Sequence, residues 1–177
     1  MTNFGFAEIL LVALAIILVV AAVIDVRTFT ISNGLNATVA LLAPVYWWSV
    51  GLPFWPDAAI QIGVAMFVFA ALAVTFYLGM MGGGDVKLAA ALALWFSPGS
   101  TVRFLVIMSL AGGLLTVVVL ILHRLKGKPE PEASLEALPE APDDSEKIIT
   151  KPEVPYGVAI AIGALWILAQ RFLNQFA

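Results

Sequence analysis

The sequence has 177 residues, of which 62% are hydrophobic and only 12% charged, and its mean hydropathy is +1.01. Soluble domains usually carry about a quarter charged residues, so this composition excludes an ordinary soluble protein and indicates a polytopic membrane protein. The net charge is −3, but seven of the twelve acidic residues lie between Glu130 and Glu146, so the acidity belongs to one segment. The absence of cysteine excludes disulfides, thiolate chemistry and a cysteine-ligated zinc module.

The apolar runs predict an all-α fold in which about six transmembrane helices form a single membrane-embedded domain over residues 1–177. In chain order the predicted spans are 6–24, 35–50, 58–78, 85–97, 102–122 and 154–172. The fourth contains only about twelve residues, or roughly 18 Å of helix, which is short of the ~30 Å hydrocarbon thickness. One helix is therefore expected to be short or broken, and irregular backbone at that depth must lie inside protein or along a wet cavity.

Two features outside the spans complete the predicted organisation. The segment 123–153 is basic at first and then rich in Pro, Glu and Asp, which indicates a flexible acidic loop. Trp47, Trp48 and Trp55 lie near the turn between the second and third spans, and tryptophans at such positions are typical of an interfacial aromatic belt.

The basic residues predict the orientation in the membrane. With six spans, the connections after the first, third and fifth spans lie on one side of the membrane, and that side carries seven basic residues. The opposite side carries only Arg103 and Arg171. The seven are Arg27, Lys87, Arg124, Lys126, Lys128, Lys147 and Lys151. Because cytoplasmic loops are enriched in Lys and Arg, we expect the seven-residue side to face the cytoplasm.

The stretch from Gly79 to Lys87 interrupts the apolar pattern with three consecutive glycines, Gly82 to Gly84, followed by Asp85. Glycines allow sharp bends and close approach of another chain. Taken alone, the stretch is equally compatible with a helix-packing surface whose aspartate caps the next helix. A second aspartate, Asp25, ends the first predicted span on the same side of the membrane, and alone it would be read as an interfacial cap near Arg27.

Together, the two aspartates suggest a specific chemistry. Two carboxylates that share a site cannot both ionise easily, so one keeps a proton while the other can act as a base toward a water molecule. The base activates the water for attack on a peptide carbonyl, and the protonated partner hydrogen-bonds the carbonyl oxygen. The sequence therefore favours an aspartic peptidase with Asp25 and Asp85 as catalytic residues. It does not assign the two roles, because the titration belongs to the pair.

Three motifs resemble those of one family. Gly82-x-Gly84-Asp85 resembles the GxGD signature of membrane aspartic peptidases, and Gly79 to Leu88 resembles its longer form in type IV prepilin peptidases. Asp25-x-Arg27-x-x-x-Ile31-x-Asn33 resembles that family's first aspartate motif, with Ser32 where proline is frequent. The start of the last span, Val154-Pro155-Tyr156-Gly157, resembles a third recurring segment. The motif-supporting residues are then Gly82, Gly84, Lys87, Arg27, Asn33, Pro155, Tyr156 and Gly157.

This resemblance implies an endopeptidase of the bacterial inner membrane that removes the basic leader of type IV prepilins at the cytoplasmic face. The substrate would carry a hydrophobic N-terminal helix after the leader. The first span begins within a few residues of the start and cysteine is absent, so the chain resembles the short form associated with tight-adherence (Flp-type) pili, and methyltransferase activity is doubtful. No metal, cofactor or nucleic-acid partner is expected beside the lipid bilayer, and the oligomeric state is left open.

Two other functions remain open at this point. A small proton-coupled transporter or channel also places acids within a helix bundle, although it needs further polar residues across the bilayer. A presenilin-like intramembrane protease shares GxGD, but the Asp25 motif and the Pro155-Tyr156-Gly157 segment match prepilin peptidases better.

Overall fold

The computed structural model describes residues 4–125 and 155–176, and within these ranges it contains six α-helices and no strand. The helices are α1 (Phe4–Thr28), α2 (Asn33–Val50), α3 (Ala59–Tyr77), α4 (Gly83–Ala93), α5 (Pro98–Leu125) and α6 (Tyr156–Phe176). A single π-helical turn, Phe54–Ala58, precedes α3. The predicted acidic loop lies outside the described residues, apart from its first three positions, which continue α5.

The fold is that of an all-α polytopic membrane protein, as the composition predicts. Within residues 4–125 and 155–176, four segments are long and apolar enough to cross a membrane, namely Gly5–Thr28, Phe54–Tyr77, Pro98–Leu122 and Tyr156–Asn174. Helix α2 contains 18 residues and includes Pro44 in its interior. Helix α4 contains 11 residues, so at 1.5 Å of rise each it reaches only about half of the ~30 Å hydrocarbon thickness. The prediction of one short helix is therefore confirmed.

Helix α4 lies in the interior of the bundle. Eight of its eleven residues are buried, including every position from Leu88 to Ala93. It packs against α2, α3 and α6, while α1 packs against α2 and α6, and α5 packs mainly against α6. A short helix that is apolar on all sides needs such enclosure. The surrounding helices thereby fix the position of the α4 N-terminus, where Asp85 lies.

Two predicted helix boundaries were wrong, one beside Asp25 and one at the opposite end of the bundle. The first helix does not end at residue 24 but continues through Asp25 and Arg27 to Thr28. Polar residues do not break a helix, and the chain leaves the helical conformation only at Phe29, whose φ is +50°. Pro98 does not end a span but begins α5, because a proline is well accommodated in the first turn of a helix.

The predicted tryptophan belt was partly wrong. Trp48 and Trp55 are exposed, as expected for side chains at a membrane interface. Trp47 is only 7% exposed, and its indole N–H donates a hydrogen bond of 2.8 Å to the carbonyl of Leu94. The reason is that Leu94 is the C-cap of α4, where carbonyl groups lack a donor from the same helix, so its carbonyl accepts a side-chain donor instead.

Candidate active site

Asp25 is buried near the C-terminal end of α1, with only 2% of its surface exposed. Its carboxylate oxygen Oδ2 accepts a hydrogen bond of 3.3 Å from the backbone N–H of Val158, which also lies 3.3 Å from the carbonyl of Pro155. A buried carboxylate needs such donors because it has lost its water. The first turn of α6 therefore holds Asp25 in place.

Gly157 is the point at which α6 meets Asp25. A Cβ atom at this position would lie 2.8 Å from both Cγ and Oδ2 of Asp25, closer than carbon atoms approach without repulsion. The neighbouring Tyr156 ring lies against Gly112 of α5, where an added Cβ would meet ring carbon Cε1 at 3.4 Å. The predicted Pro155-Tyr156-Gly157 segment thus links α5 and α6 to the first aspartate.

Asp85 lies in the first turn of α4 and is 7% exposed. Its Oδ1 atom is buried and has no hydrogen-bond partner within 4–125 and 155–176. Buried acceptors are usually satisfied, so an unpaired carboxylate oxygen suggests a place for a water molecule or a substrate group.

The three consecutive glycines each approach a different neighbour. A Cβ at Gly82 would lie 2.9 Å from Oδ2 of Asp85, and one at Gly83 would lie 3.3 Å from the ring of Phe76. At Gly84, a Cβ would lie 2.8 Å from the backbone oxygen of Ile31. The preceding turn also needs glycine, because Gly79 has a φ of +66°. Close approach on several sides therefore explains this run of glycines.

The first turn of α2 is bound directly to the start of α4. The side-chain amide of Asn36 donates a hydrogen bond of 2.9 Å to the carbonyl of Gly84, next to Asp85. The Lys87 ammonium donates one of 2.8 Å to Oδ1 of Asn33 on the exposed side. Together with the Gly84–Ile31 contact, these bonds set the position of the Asp85 carboxylate relative to the end of α1.

The two buried carboxyl groups lie at the same end of the bundle, because Gly84, next to Asp85, contacts Ile31 in the turn that follows α1. They come from helices that are not consecutive in sequence, and α6 packs on both α1 and α4. Two carboxylates that face one site can share one proton, which is the requirement for acid and base to act on the same bond. Among the described residues, no group of three or more histidine, aspartate and glutamate side chains is arranged to hold a metal ion.

The structure brings most of the predicted site residues together but leaves one apart. Arg27 is exposed in the last turn of α1 and takes part in none of the hydrogen bonds described above. Ser32, which stands where the resembled family often has proline, caps α2 by accepting a hydrogen bond of 3.3 Å from the Leu35 N–H. Its φ of −66° is the angle that a proline ring imposes. The serine therefore preserves the loop shape that proline would give.

Asn36 and Ile31 are the residues at this site that the sequence analysis did not single out as supporting residues. Asn36 was detectable, because it is a polar residue in an apolar helix and lies one helical turn after Asn33. Ile31 was named only as a position of the Asp25 motif and without a role, because it contributes through its backbone oxygen, and only the tertiary contact with Gly84 shows this.

A family model described as the type IV leader peptidase family matches residues 12–117. The chain belongs to this family. The matched region spans more than half of the sequence and contains Asp25, the glycine-rich turn and Asp85, whereas the Pro155-Tyr156-Gly157 segment lies beyond it. Neither a curated protein nor a solved structure matches the chain significantly.

Membership of the type IV leader peptidase family agrees with the resemblance seen in the motifs. It supports a peptidase-like function on prepilin-type substrates in general. The geometry described above adds where the two candidate carboxylates of this family member lie and which backbone contacts hold them.

Proposed function

We propose that this protein is an aspartic endopeptidase that removes the basic leader from type IV prepilins of the Flp type, with Asp25 and Asp85 as its catalytic pair. The observation that carries the proposal is the placement of two buried carboxyl groups, from α1 and α4, at the same end of the bundle, where α6 packs on both helices. The Oδ1 atom of Asp85, unpartnered among the described residues, supports it further.

The proposed reaction follows from one proton shared by the pair. The ionised aspartate takes a proton from a water molecule while the water oxygen attacks the scissile carbonyl carbon. The protonated aspartate donates a hydrogen bond to the carbonyl oxygen as it gains negative charge. The tetrahedral intermediate then collapses, the C–N bond breaks and the leaving nitrogen receives a proton. Asp25 and Asp85 perform these steps jointly, so neither role is assigned to one residue.

The site needs rigid support because acid–base catalysis depends on the position of both carboxyl groups. A displacement of about 1 Å can reduce a rate on the order of 100-fold. In this account, Gly157 and Val158 hold Asp25, while Gly84, Asn36 and Ile31 hold the turn before Asp85. Pro155 and Tyr156 position the start of α6, and the Lys87–Asn33 hydrogen bond joins the first turns of α4 and α2 at the exposed edge.

The proposed location of the chemistry is the cytoplasmic face of the bacterial inner membrane. The distribution of Lys and Arg supports this orientation, because the end of α1, the start of α4 and the end of α5 all belong to the more basic side. A short leader exposed in the cytoplasm would reach this end of the bundle while the following hydrophobic segment stays in the lipid.

A proton-coupled transporter is less well supported. The buried polar residues of the described part are Asp25, Asn36, Ser49, Asp85 and Thr101. Asp25, Asn36 and Asp85 lie together at one end of the bundle. Fully buried leucines such as Leu14, Leu88 and Leu92 fill its interior. A proton path needs polar groups in succession across the bilayer, and these residues do not provide one.

The proposal is tested by mass spectrometry of an Flp-type prepilin co-expressed with this protein or expressed alone. We expect the co-expressed pilin to lose the mass of its leader, with a new N-terminus immediately after the glycine that precedes the hydrophobic segment. An unchanged mass would contradict the proposed function. Cleavage inside the hydrophobic helix would instead favour a presenilin-like intramembrane protease.

A further inference from the structure

A second polar region lies at the end of the bundle opposite to Asp25 and Asp85. It is a cavity of about 540 Å³ between the C-terminal ends of α2 and α6 and the start of α5. The residues just after α4, Trp95 and Phe96, form part of its wall. None of the catalytic or supporting residues described above lines this cavity, so the proposed peptidase reaction does not explain it.

The cavity carries positive charge. Arg103 of α5 and Arg171 of α6 both line it, and none of the described lining residues is acidic. The guanidinium carbon of Arg171 lies 5.3 Å from the centre of the Tyr46 ring, a distance at which a cation is attracted by the aromatic face. Two guanidinium groups at one cavity, without a carboxylate in its wall, favour an anionic ligand, and guanidinium geometry suits phosphate.

Two uncharged groups in the cavity also lack partners. Tyr46 is only 4% exposed, and its hydroxyl group lies beside the Arg171 guanidinium but makes no hydrogen bond of ordinary geometry with it or with another described residue. The Oε1 atom of Gln61 is also buried and has no hydrogen-bond partner among the described residues. Both residues line the cavity. Buried polar atoms rarely remain unsatisfied, so a hydroxyl donor and an amide acceptor at one cavity indicate a ligand that can both accept and donate.

The surroundings distinguish a lipid from a free ion. Much of the cavity wall is apolar, with Leu11, Trp47 and Ile167 among its residues. The exposed Trp48 and Trp55 lie at the same end of the bundle, and exposed tryptophans of membrane proteins concentrate at the level of the lipid headgroups. Contact with the apolar wall would not stabilise a bound phosphate ion. It would stabilise a bound lipid, because the glycerol and first acyl carbons bury apolar surface there.

We propose that this cavity binds the headgroup of an anionic phospholipid that bears hydroxyl groups. Arg103 and Arg171 contact the phosphate, and the Tyr46 hydroxyl donates a hydrogen bond to a phosphate oxygen. The Oε1 atom of Gln61 accepts a hydrogen bond from a headgroup hydroxyl. The apolar wall contacts the beginning of the acyl chains. The bound lipid thereby joins α2, α5 and α6 at the end of the bundle remote from the aspartates.

Native mass spectrometry of the full-length protein in detergent tests this inference. The protein is mixed with phosphatidylglycerol or with phosphatidylcholine of the same acyl chains. We expect phosphatidylglycerol to be retained about tenfold more strongly. The double variant R103Q/R171Q should lose this preference, and the control R124Q, which removes a cation at the other end of α5, should keep it.

Three results would overturn the inference. Equal retention of the two lipids by the unmodified protein is the first, and undiminished phosphatidylglycerol binding by R103Q/R171Q is the second. The third is displacement of phosphatidylglycerol by an equal concentration of inorganic phosphate, which would show a site for a free anion. If the double variant does not fold, Tyr46→Phe replaces it, since it removes only a hydroxyl group. Retention reduced several-fold in Tyr46→Phe supports the lipid site, and unchanged retention contradicts it.

Discussion

Gly157 lies so close to Asp25 that a single added methyl group would overlap the carboxyl carbon at 2.8 Å. The contact joins the start of α6 to the end of α1, two segments separated by most of the sequence. It gives the Pro155-Tyr156-Gly157 segment a physical role, because the Val158 N–H can reach the carboxylate only if the preceding residue has no side chain. The position of the first aspartate therefore depends on the last helix.

The first prediction concerns this contact. Gly157→Ala should lower kcat for leader cleavage by about 100-fold, because the new methyl group must displace the Asp25 carboxylate or the α6 backbone. The matched control is Gly113→Ala in α5, where an added Cβ meets nothing within 4 Å. Peptidase assays on the purified variants provide the measurement. Equal activity in Gly157→Ala and Gly113→Ala would show that the contact does not position Asp25.

The second prediction concerns the glycine before Asp85. Gly84→Ala should impair both stability and activity, because its Cβ would lie 2.8 Å from the backbone oxygen of Ile31, which cannot move aside as a flexible side chain can. The control is Gly34→Ala at the start of α2, where the added atom meets nothing within 4 Å. Thermal unfolding and turnover should separate the two variants. A Gly84→Ala protein with the stability and rate of the control would contradict the proposed fit.

The third prediction concerns Asn36. Replacement with leucine removes the hydrogen bond to the Gly84 carbonyl, a loss of about 0.5–1.5 kcal/mol. The unfolding temperature should fall by a few degrees, and kcat should fall with it because Gly84 adjoins Asp85. Thr38→Val is the control, since the Thr38 hydroxyl bonds only to the Gly34 carbonyl at an exposed position. Unaltered kcat in Asn36→Leu would limit Asn36 to a role in stability.

The fourth prediction concerns Lys87 and Asn33. Their hydrogen bond is exposed to solvent, and exposed charged contacts contribute about 0–1 kcal/mol. In a double-mutant cycle with Lys87→Gln and Asn33→Ala, the coupling energy should therefore be below about 1 kcal/mol. Unfolding measurements on the four proteins of the cycle give this value. A coupling energy above about 2 kcal/mol would show that the pair is a principal support of the site.

The sequence predicts the site well where the information is local. The spacing between Asp85 and Pro98 predicts a helix too short to cross the membrane, and α4 has 11 residues. The order of the motifs predicts that the end of α1 and the start of α4 face the same side. These inferences succeed because two properties follow from the lengths of the apolar runs alone. They are the length of each helix and the side of the membrane on which each connection lies.

Contacts between distant segments, both at the site and at the opposite end of the bundle, could not be predicted. Nothing near Trp47 in the sequence shows that its indole donates to Leu94 instead of facing lipid headgroups. The contact of Gly84 with the Ile31 oxygen is likewise a property of two backbones brought together by packing. The continuation of α1 through Asp25 is a third case, because burial against α6 compensates for a polar residue that the apolar pattern alone would exclude from the helix.

The central claim is that Asp25 and Asp85 form one catalytic unit, and cleavage kinetics of the isosteric asparagine variants test it most directly. Asp25→Asn and Asp85→Asn should each reduce leader cleavage by at least about 1,000-fold while the protein stays folded, and the double variant should be hardly worse than either. Asp57→Asn, at the exposed turn before α3, should cleave normally. Wild-type activity in either single variant, or losses that multiply in the double variant, would contradict the shared site.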